Sequence, residues 1–202
     1  MRARRRPRLD SKRALDLSLG SVGLVVAVPV LGMVALAMRL SGDTGPFLYR
    51  APRVGQGQTF MVLKVRTMTE GSAGSKLTLA NDTRVTRVGR IVRRYRLDEL
   101  PQLVNVIRGE MSLVGPRPED PVYVDLTDPL HRRVFSAKPG ITGLAQLAYH
   151  SEADLLVGHD PDDRYRRQIL PAKLQLDAEY LDRRTTLLDL RILARTVRTI
   201  LR

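Results

Sequence analysis

The chain has 202 residues, no cysteine, 43% hydrophobic residues and a formal net charge of +13. That is enough apolar material for one core but not for several, and it excludes disulfides and thiolate metal sites. His131, His150 and His159 are too scattered for a metal cluster. The positive charge gathers at the two ends rather than over a recognition face, so nucleic acid is not an expected partner.

Residues 1–13 form a basic arm, with Arg2, Arg4, Arg5, Arg6, Arg8, Lys12 and Arg13 against Asp10. Residues 14–40 form the next unit. No charge occurs from Leu17 to Met38, about 33 Å of helix and so enough to cross a bilayer. Pro29 lies near the middle of this segment, and Arg39, Arg50, Arg53, Lys64 and Arg66 follow it. Positive residues on both flanks place both ends on one side of the membrane. A membrane break at Pro29, giving a re-entrant helix-break-helix, meets that requirement if the carbonyls freed near Val25 and Val26 find partners. A spanning anchor, or a signal segment lacking an A-x-A cleavage site, fits the same residues.

Residues 41–202 read as one mixed α/β, helix-rich domain with a small sheet. Ser41 to Gln58 is rich in glycine and proline and reads as turns and short extended pieces. Thr59 to Met68 alternates as a strand that puts Lys64 and Arg66 on one face. Paired cations there suit a diphosphate, and equally a solvated strand face. Glu70 to Lys76, which contains Gly, Ser and Ala, reads as a mobile loop.

Arg90 to Glu119 concentrates the chemistry-bearing residues. Leu100, Leu103, Val104 and Ile107 have helical spacing, Gly109 stops that helix, and Pro101 lies in its first turn. Asp98 is then the N-cap and Glu99 its neighbour, where backbone N–H groups favour negative charge. Asp98 there could be a nucleophile and Glu99 a ligand for a divalent cation. Taken alone, the pair is also an ordinary helix start. Arg93, Arg94 and Arg96 upstream, and Arg117 in the stiff Gly115-Pro116-Arg117-Pro118 turn, add guanidiniums that fork onto phosphate oxygens.

Asp120 to Arg133 has no clear structure, Lys138 to Leu147 is a glycine-containing loop, and Ser151 to Asp163 is a polar, acidic loop. From Arg164 the pattern is helical, with Pro171 breaking or restarting the helix. In the last helix Leu190, Leu193, Ala194, Val197, Ile200 and Leu201 share one side, while Arg191, Arg195, Arg198 and Arg202 gather on another. Such a helix suits an anionic membrane surface, or packs on the domain with a solvated basic face.

Leu97-Asp98-Glu99-Leu100-Pro101-Gln102-Leu103, Gly109 to Glu119, Lys64-Val65-Arg66-Thr67-Met68 and Pro139-Gly140-Ile141-Thr142-Gly143-Leu144-Ala145-Gln146 closely resemble the bacterial sugar transferases, the monotopic phosphoglycosyl transferases. The likeness runs from Lys12 through Asp177, Tyr180 and Asp189. It departs at Val28, Val65 and Glu110, where many relatives have serine, phenylalanine and aspartate.

The resemblance implies a re-entrant membrane segment on the cytoplasmic face of the bacterial inner membrane and a two-step covalent reaction. Asp98 would attack the β-phosphate of a nucleoside diphosphate sugar, usually a UDP-sugar, releasing UMP. A membrane polyprenyl phosphate would then take the phosphosugar from Asp98, the first membrane step of a glycan pathway. Glu99 would hold Mg²⁺, Arg93, Arg117 and Pro118 would line the diphosphate site, and Lys64 and Arg66 would assist. Ser151 to Asp163, where the likeness is low, is the place for sugar specificity. Membrane lipid is then a further partner, and the oligomeric state stays open.

Two other readings stand beside this one. A basic membrane-surface or nucleic-acid-binding protein without catalysis accounts for the charge, although three Phe, six Tyr and no Trp leave few stacking platforms. A glycosidase needs carboxylates on opposite sides of a bond, which neighbours at one helix start do poorly.

Overall fold

The computed structural model describes residues 11–69, 71, 77–79, 82–156 and 160–200. Most of the basic arm, all but Gly71 of the Glu70–Lys76 loop, His159, Leu201 and Arg202 lie outside the described residues. The architecture is helix-rich α/β with two small two-stranded sheets.

Helix α1 spans Ser11–Leu40 and is long and apolar enough to cross a membrane. The break expected at Pro29 does not interrupt it: the backbone stays helical on both sides of the proline. Pro29 sits on the exposed face, where its ring costs one hydrogen bond to Val25, and packing before and after it holds the helix together. Its buried residues, Asp16, Gly20, Ala27, Val34 and Met38, recur at helical spacing along a single stripe. The opposite face leaves Val22, Val25, Val26, Met33 and Leu36 exposed.

After α1, the strands β1 (Leu48–Gly55) and β2 (Gln58–Val65) form an antiparallel hairpin with Leu48 opposite Val65. Gln56 and Gly57 close it with φ of 53° and 73°, a two-residue turn that the glycine makes easy. The stretch expected as turns therefore holds a strand. Helix α2 (Arg87–Arg94) is capped by the Thr86 side chain, which accepts from the Gly89 N–H. Helix α3 (Gln102–Arg108) ends, as expected, at Gly109 with φ of 85°. Arg13 donates to the carbonyls of Val106 (2.6 Å) and Ile107 (2.8 Å) at the end of α3, bringing a cation to the negative pole of the helix.

Strand β3 (Ser112–Val114) pairs in parallel with β4 (Gly140–Thr142), so the expected glycine loop contains a short strand, followed by α5 (Leu144–Ala148). Between the strands, α4 (Pro129–Phe135) begins at Asp128, whose carboxylate accepts from Leu130 and His131 N–H groups. The C-terminal part holds α6 (Glu152–Leu155), α7 (Pro161–Arg164), a π-turn at Tyr165–Ile169, α8 (Leu170–Arg183) and α9 (Thr186–Ile200). Pro171 does not break the chain direction; it falls in the first turn of α8, where a missing N–H is tolerated.

Among the described residues three apolar clusters make up the interior, and α1 belongs to two. Ala27 packs with Val62, Leu103, Val106, Val114, Tyr180 and Ile192, while Val34 and Met38 pack with Val65 and Val92. Gly20 faces α3, where a Cβ would lie 3.4 Å from the Val106 side chain, an ordinary contact. At its N-terminal end α1 is pinned by polar contacts. Lys12 Nζ donates to Asp189 Oδ2 (2.6 Å) of α9 and to the Val114 carbonyl (2.9 Å), and Tyr180 Oη donates to Asp189 Oδ1 (2.7 Å). Asp16 accepts from Ser112 Oγ (2.9 Å) and from the Leu113 N–H (3.0 Å). Asp16→Ala leaves both donors buried without an acceptor, an expected loss of about 1–3 kcal/mol. Asp16→Asn, which keeps a carbonyl, should lose less; urea unfolding in micelles measures both.

Helix α9 shows three faces instead of two. Asp189 and Ile192 are buried against the domain, Arg191, Arg195 and Arg198 are exposed, and Leu187, Leu190, Ala194 and Val197 form an uncovered apolar stripe. Of the residues expected on the apolar side, Leu193 packs on the domain while Leu190, Ala194 and Val197 face outward beside the arginines, an arrangement that suits a headgroup layer.

Candidate functional site

The Asp98–Glu99 pair sits on a one-turn 3-10 helix, Leu97–Glu99, that follows Arg96 in the left-handed conformation at φ 52°. Asp98 is therefore not the N-cap of α3. That position belongs to Pro101, which makes no side-chain capping bond, while the first N–H groups are taken by the Leu100 and Pro101 carbonyls. The left-handed turn at Arg96 and the proline together insert an extra turn before the helix. The Asp98 carboxylate is left uncommitted.

The two carboxylates differ sharply. Glu99 is buried, with Oε1 3.3 Å from Lys64 Nζ and 3.7 Å from Arg117 Nη2, and Oε2 3.8 Å from Arg96 Nη1. Burial pushes its carboxyl up, but Lys64, Arg117 and Arg96 outweigh that and hold it down at about 2. Asp98 has no hydrogen bond or ion pair among the described residues. Burial raises its carboxyl from the usual range, Glu99 pushes the same way, and Lys64, Arg93 and Arg96 oppose them. Glu99 is thus a fixed anion and Asp98 an open one.

Both face a cleft of about 1400 Å³ that Lys64, Arg66, Arg93, Arg117 and Pro118 also line. Lys64, on β2, reaches Glu99 directly. Arg66 lies just beyond β2 and is bound by Asp43, the Pro46 carbonyl (2.7 Å) and the Met68 carbonyl (3.0 Å), so it ties the loop after α1 to the hairpin. Arg93 Nε donates to Thr67 Oγ1 (2.7 Å), with its charge directed toward the dyad.

The Gly-Pro-Arg-Pro turn follows β3 and crosses the Pro139–Gly140 backbone at close range. A Cβ on Gly115 would lie 2.7 Å from the Lys138 carbonyl, and one on Gly140 would lie 2.1 Å from the Gly115 nitrogen, so both positions require glycine. The Arg117 N–H donates to Asp177 Oδ2 (3.1 Å) of α8, which fixes the backbone beneath the guanidinium.

Asp177 is 2% exposed, its other oxygen has no hydrogen-bond partner, and burial lifts its carboxyl to about 7. A raised carboxyl stabilises the fold while it is protonated. That contribution is complete below about pH 4 and is lost as the pH climbs through about 7. Wild-type stability should therefore fall relative to Asp177→Asn between pH 5 and roughly pH 7.5, which paired thermal melts can follow.

Below Arg117 lies a network that the sequence did not disclose. Lys173, 2% exposed on α8, sits 2.7 Å from Glu119 Oε1, 2.7 Å from Glu152 Oε2 and 2.8 Å from Tyr165 Oη. Burial pushes Glu119 up, but Lys173 and Arg117 overcome it and hold its carboxyl below the usual range. Arg96 also donates to the His150 carbonyl (3.0 Å). Tyr149 to Glu152 is thereby tethered across the cleft from the dyad, at the start of the expected polar loop.

A sequence profile for the family described as bacterial sugar transferase matches residues 8–202. The chain belongs to the bacterial sugar transferase family. This sugar transferase is 39% identical over 196 residues to a UDP-glucose:undecaprenyl-phosphate glucose-1-phosphate transferase of Caulobacter vibrioides, covering 94% of this chain and 69% of that protein. It is 35% identical over 196 residues to a UDP-N-acetylgalactosamine-undecaprenyl-phosphate N-acetylgalactosaminephosphotransferase of Aeromonas hydrophila, covering 94% of this chain and 43% of that protein. To the exopolysaccharide production protein ExoY of Sinorhizobium fredii it is 32% identical over 207 residues, covering 93% and 84%. The sugar transferase spans less than half the length of several of its relatives.

The donor set for magnesium in this sugar transferase is small. Among the described residues no three His, Cys, Asp or Glu side chains converge. Asp98 and Glu99 are the carboxylates beside Lys64; Glu99 Oε1 accepts from Lys64 Nζ (3.3 Å), Arg117 and Arg96 stand off at 3.7 and 3.8 Å, and Asp98 is uncommitted. That fits an ion that takes one or two carboxylates and completes its shell with substrate phosphates and water.

Proposed function

We propose that this sugar transferase moves a sugar 1-phosphate from a nucleoside diphosphate sugar, a UDP-sugar, to a membrane polyprenyl phosphate, releasing UMP. The observation that carries the reading is the unequal dyad: an uncommitted carboxylate beside one held by three cations, in a basic cleft whose walls rest on an apolar helix. The names of the relatives supply the substrate classes.

Asp98 attacks the β-phosphorus of the donor, the bond to the bridging oxygen breaks, and UMP departs with that electron pair. The phosphosugar is then held on Asp98 as an acyl phosphate. An oxygen of the polyprenyl phosphate displaces Asp98 and restores the free carboxylate. Arg117 and Arg93 neutralise the diphosphate oxygens, and Lys64 is shared between Glu99 and the substrate. Glu99 keeps Lys64, Arg96 and Arg117 in place. Glu99, with Asp98 beside it, would hold magnesium, which when bound would supply further neutralisation of phosphate charge.

Residues 14–40 serve as the membrane element and residues 41–202 as the catalytic part. Helix α1 does not cross the bilayer; it lies along the membrane surface with both ends on the cytoplasmic side. Its contacts support this reading: Lys12 and Asp16 near one end, and Val34 and Met38 near the other, all bind the same domain. A crossing helix would draw that domain into the hydrocarbon, where its polar backbone could not be satisfied. Cysteines placed before Leu17 and after Met38 should label from the same side; labelling from opposite sides removes this placement.

The test of the reaction is UMP release by detergent-purified protein supplied with Mg²⁺, undecaprenyl phosphate and a panel of UDP-sugars. Release with one sugar, matched by a lipid-linked product, supports the proposal and names the donor. Release with none of them rejects it.

A further inference from the structure

Helix α2 joins the membrane helix to the cleft. Its Val88 and Val92 pack with Val34 and Met38 of α1, and Arg90, Arg93 and Arg94 line the cleft that holds Asp98. At about 100° per residue, Val88 and Val92 occupy the side against α1, with Ile91 and Tyr95 beside them. Ile91 and Tyr95 are exposed, on the flank beside the two valines. Continuing round the helix in the other direction come Arg93, then Arg90, then Arg94, which returns to the Ile91 flank. A strip of guanidiniums therefore runs from the dyad to the apolar side of the helix.

The three arginines are not equivalent. Arg93 is half-buried and donates to Thr67. Arg90 and Arg94 are exposed, and among the described residues neither has an acidic partner; Arg94 lies 5.8 Å over the Tyr95 ring. Unpaired guanidiniums beside an exposed apolar flank suit a phosphate monoester carried on a hydrocarbon tail.

We infer that Arg90 and Arg94 are the receiving site for the phosphate of the polyprenyl acceptor, which they draw from the headgroup layer and pass along α2 to Asp98. This rests on the proposed transfer to polyprenyl phosphate. The occupant is the acceptor itself and not an anionic phospholipid. A bulk lipid needs only surface charge, whereas this strip leads inward to the reacting carboxylate.

The experiment uses the full chain with Arg90→Gln and Arg94→Gln together. Exchange of labelled UMP into the UDP-sugar requires no acceptor and reports the first half of the reaction. Undecaprenyl phosphate titration in detergent micelles reports the second. The apparent KM for undecaprenyl phosphate should rise about tenfold or more, with UMP exchange kept within about twofold. Arg90→Lys with Arg94→Lys, which keeps charge but loses the fork, should give an intermediate KM. An unchanged acceptor KM overturns the inference, as does a parallel fall in UMP exchange. Weaker flotation on phosphatidylglycerol vesicles lacking polyprenyl phosphate, with the acceptor KM unchanged, would make the strip a general lipid anchor and also overturn it. If wild type itself shows no UMP exchange, the underlying transfer reading is what fails.

Discussion

Asp98→Asn should lower product formation at least about a thousandfold and eliminate any phosphosugar adduct. The amide is nearly isosteric with the carboxylate and Asp98 makes no hydrogen bond or ion pair among the described residues, so the fold loses no contact there. What disappears is the nucleophile. Intact mass spectrometry of wild type mixed with donor alone should show one added phosphosugar, absent from the variant. Glu99→Gln is the informative contrast, because it removes the anion that holds Lys64, Arg96 and Arg117 together. Activity should fall there as well, with the arginines displaced and the adduct still forming slowly. An Asp98→Asn protein that keeps its adduct would transfer the nucleophilic role elsewhere.

Lys173→Met should cost about 3–5 kcal/mol of stability, because it takes the cation shared by buried Glu119 and half-buried Glu152 out of the interior. The same change combined with Glu119→Gln and Glu152→Gln should recover most of the loss, since removing a whole buried ion cluster is far less costly than removing one member. Denaturant titration in micelles separates the two. The single variant should also lose activity under conditions where it remains folded. Glu119 follows the turn that presents Arg117, and Glu152 anchors the segment facing the dyad, so both walls of the cleft loosen together.

Much of the framework could be read from local sequence. The apolar run from Leu17 to Met38 identified α1, and Gly109 stopped α3 where its backbone could turn left-handed. The Asp98–Glu99 pair and the Gly-Pro-Arg-Pro turn marked the centre of the cleft. What could not be read depends on contacts between distant residues. The difference between Asp98 and Glu99 arises from Lys64 and Arg117, which approach from other strands and turns. Lys173 looks like any helical lysine until Glu119, Glu152 and Tyr165 surround it. The hairpin strand β1 was hidden by Pro52 and by surrounding glycines, although Gln56-Gly57 is a turn that joins two strands. Asp16 lay just outside the uncharged run, and its role as an acceptor for β3 needed the fold to be seen.

Helix α1 is also a structural wall. Its inner stripe closes two of the three apolar clusters, so cutting the chain after Leu40 would expose Val62, Leu103 and Val106 on one side and Val65 and Val92 on the other. A shortened enzyme would not be a soluble version of this one; it would be a domain with its interior opened to water. Losing α1 and losing the fold are, for this chain, a single event.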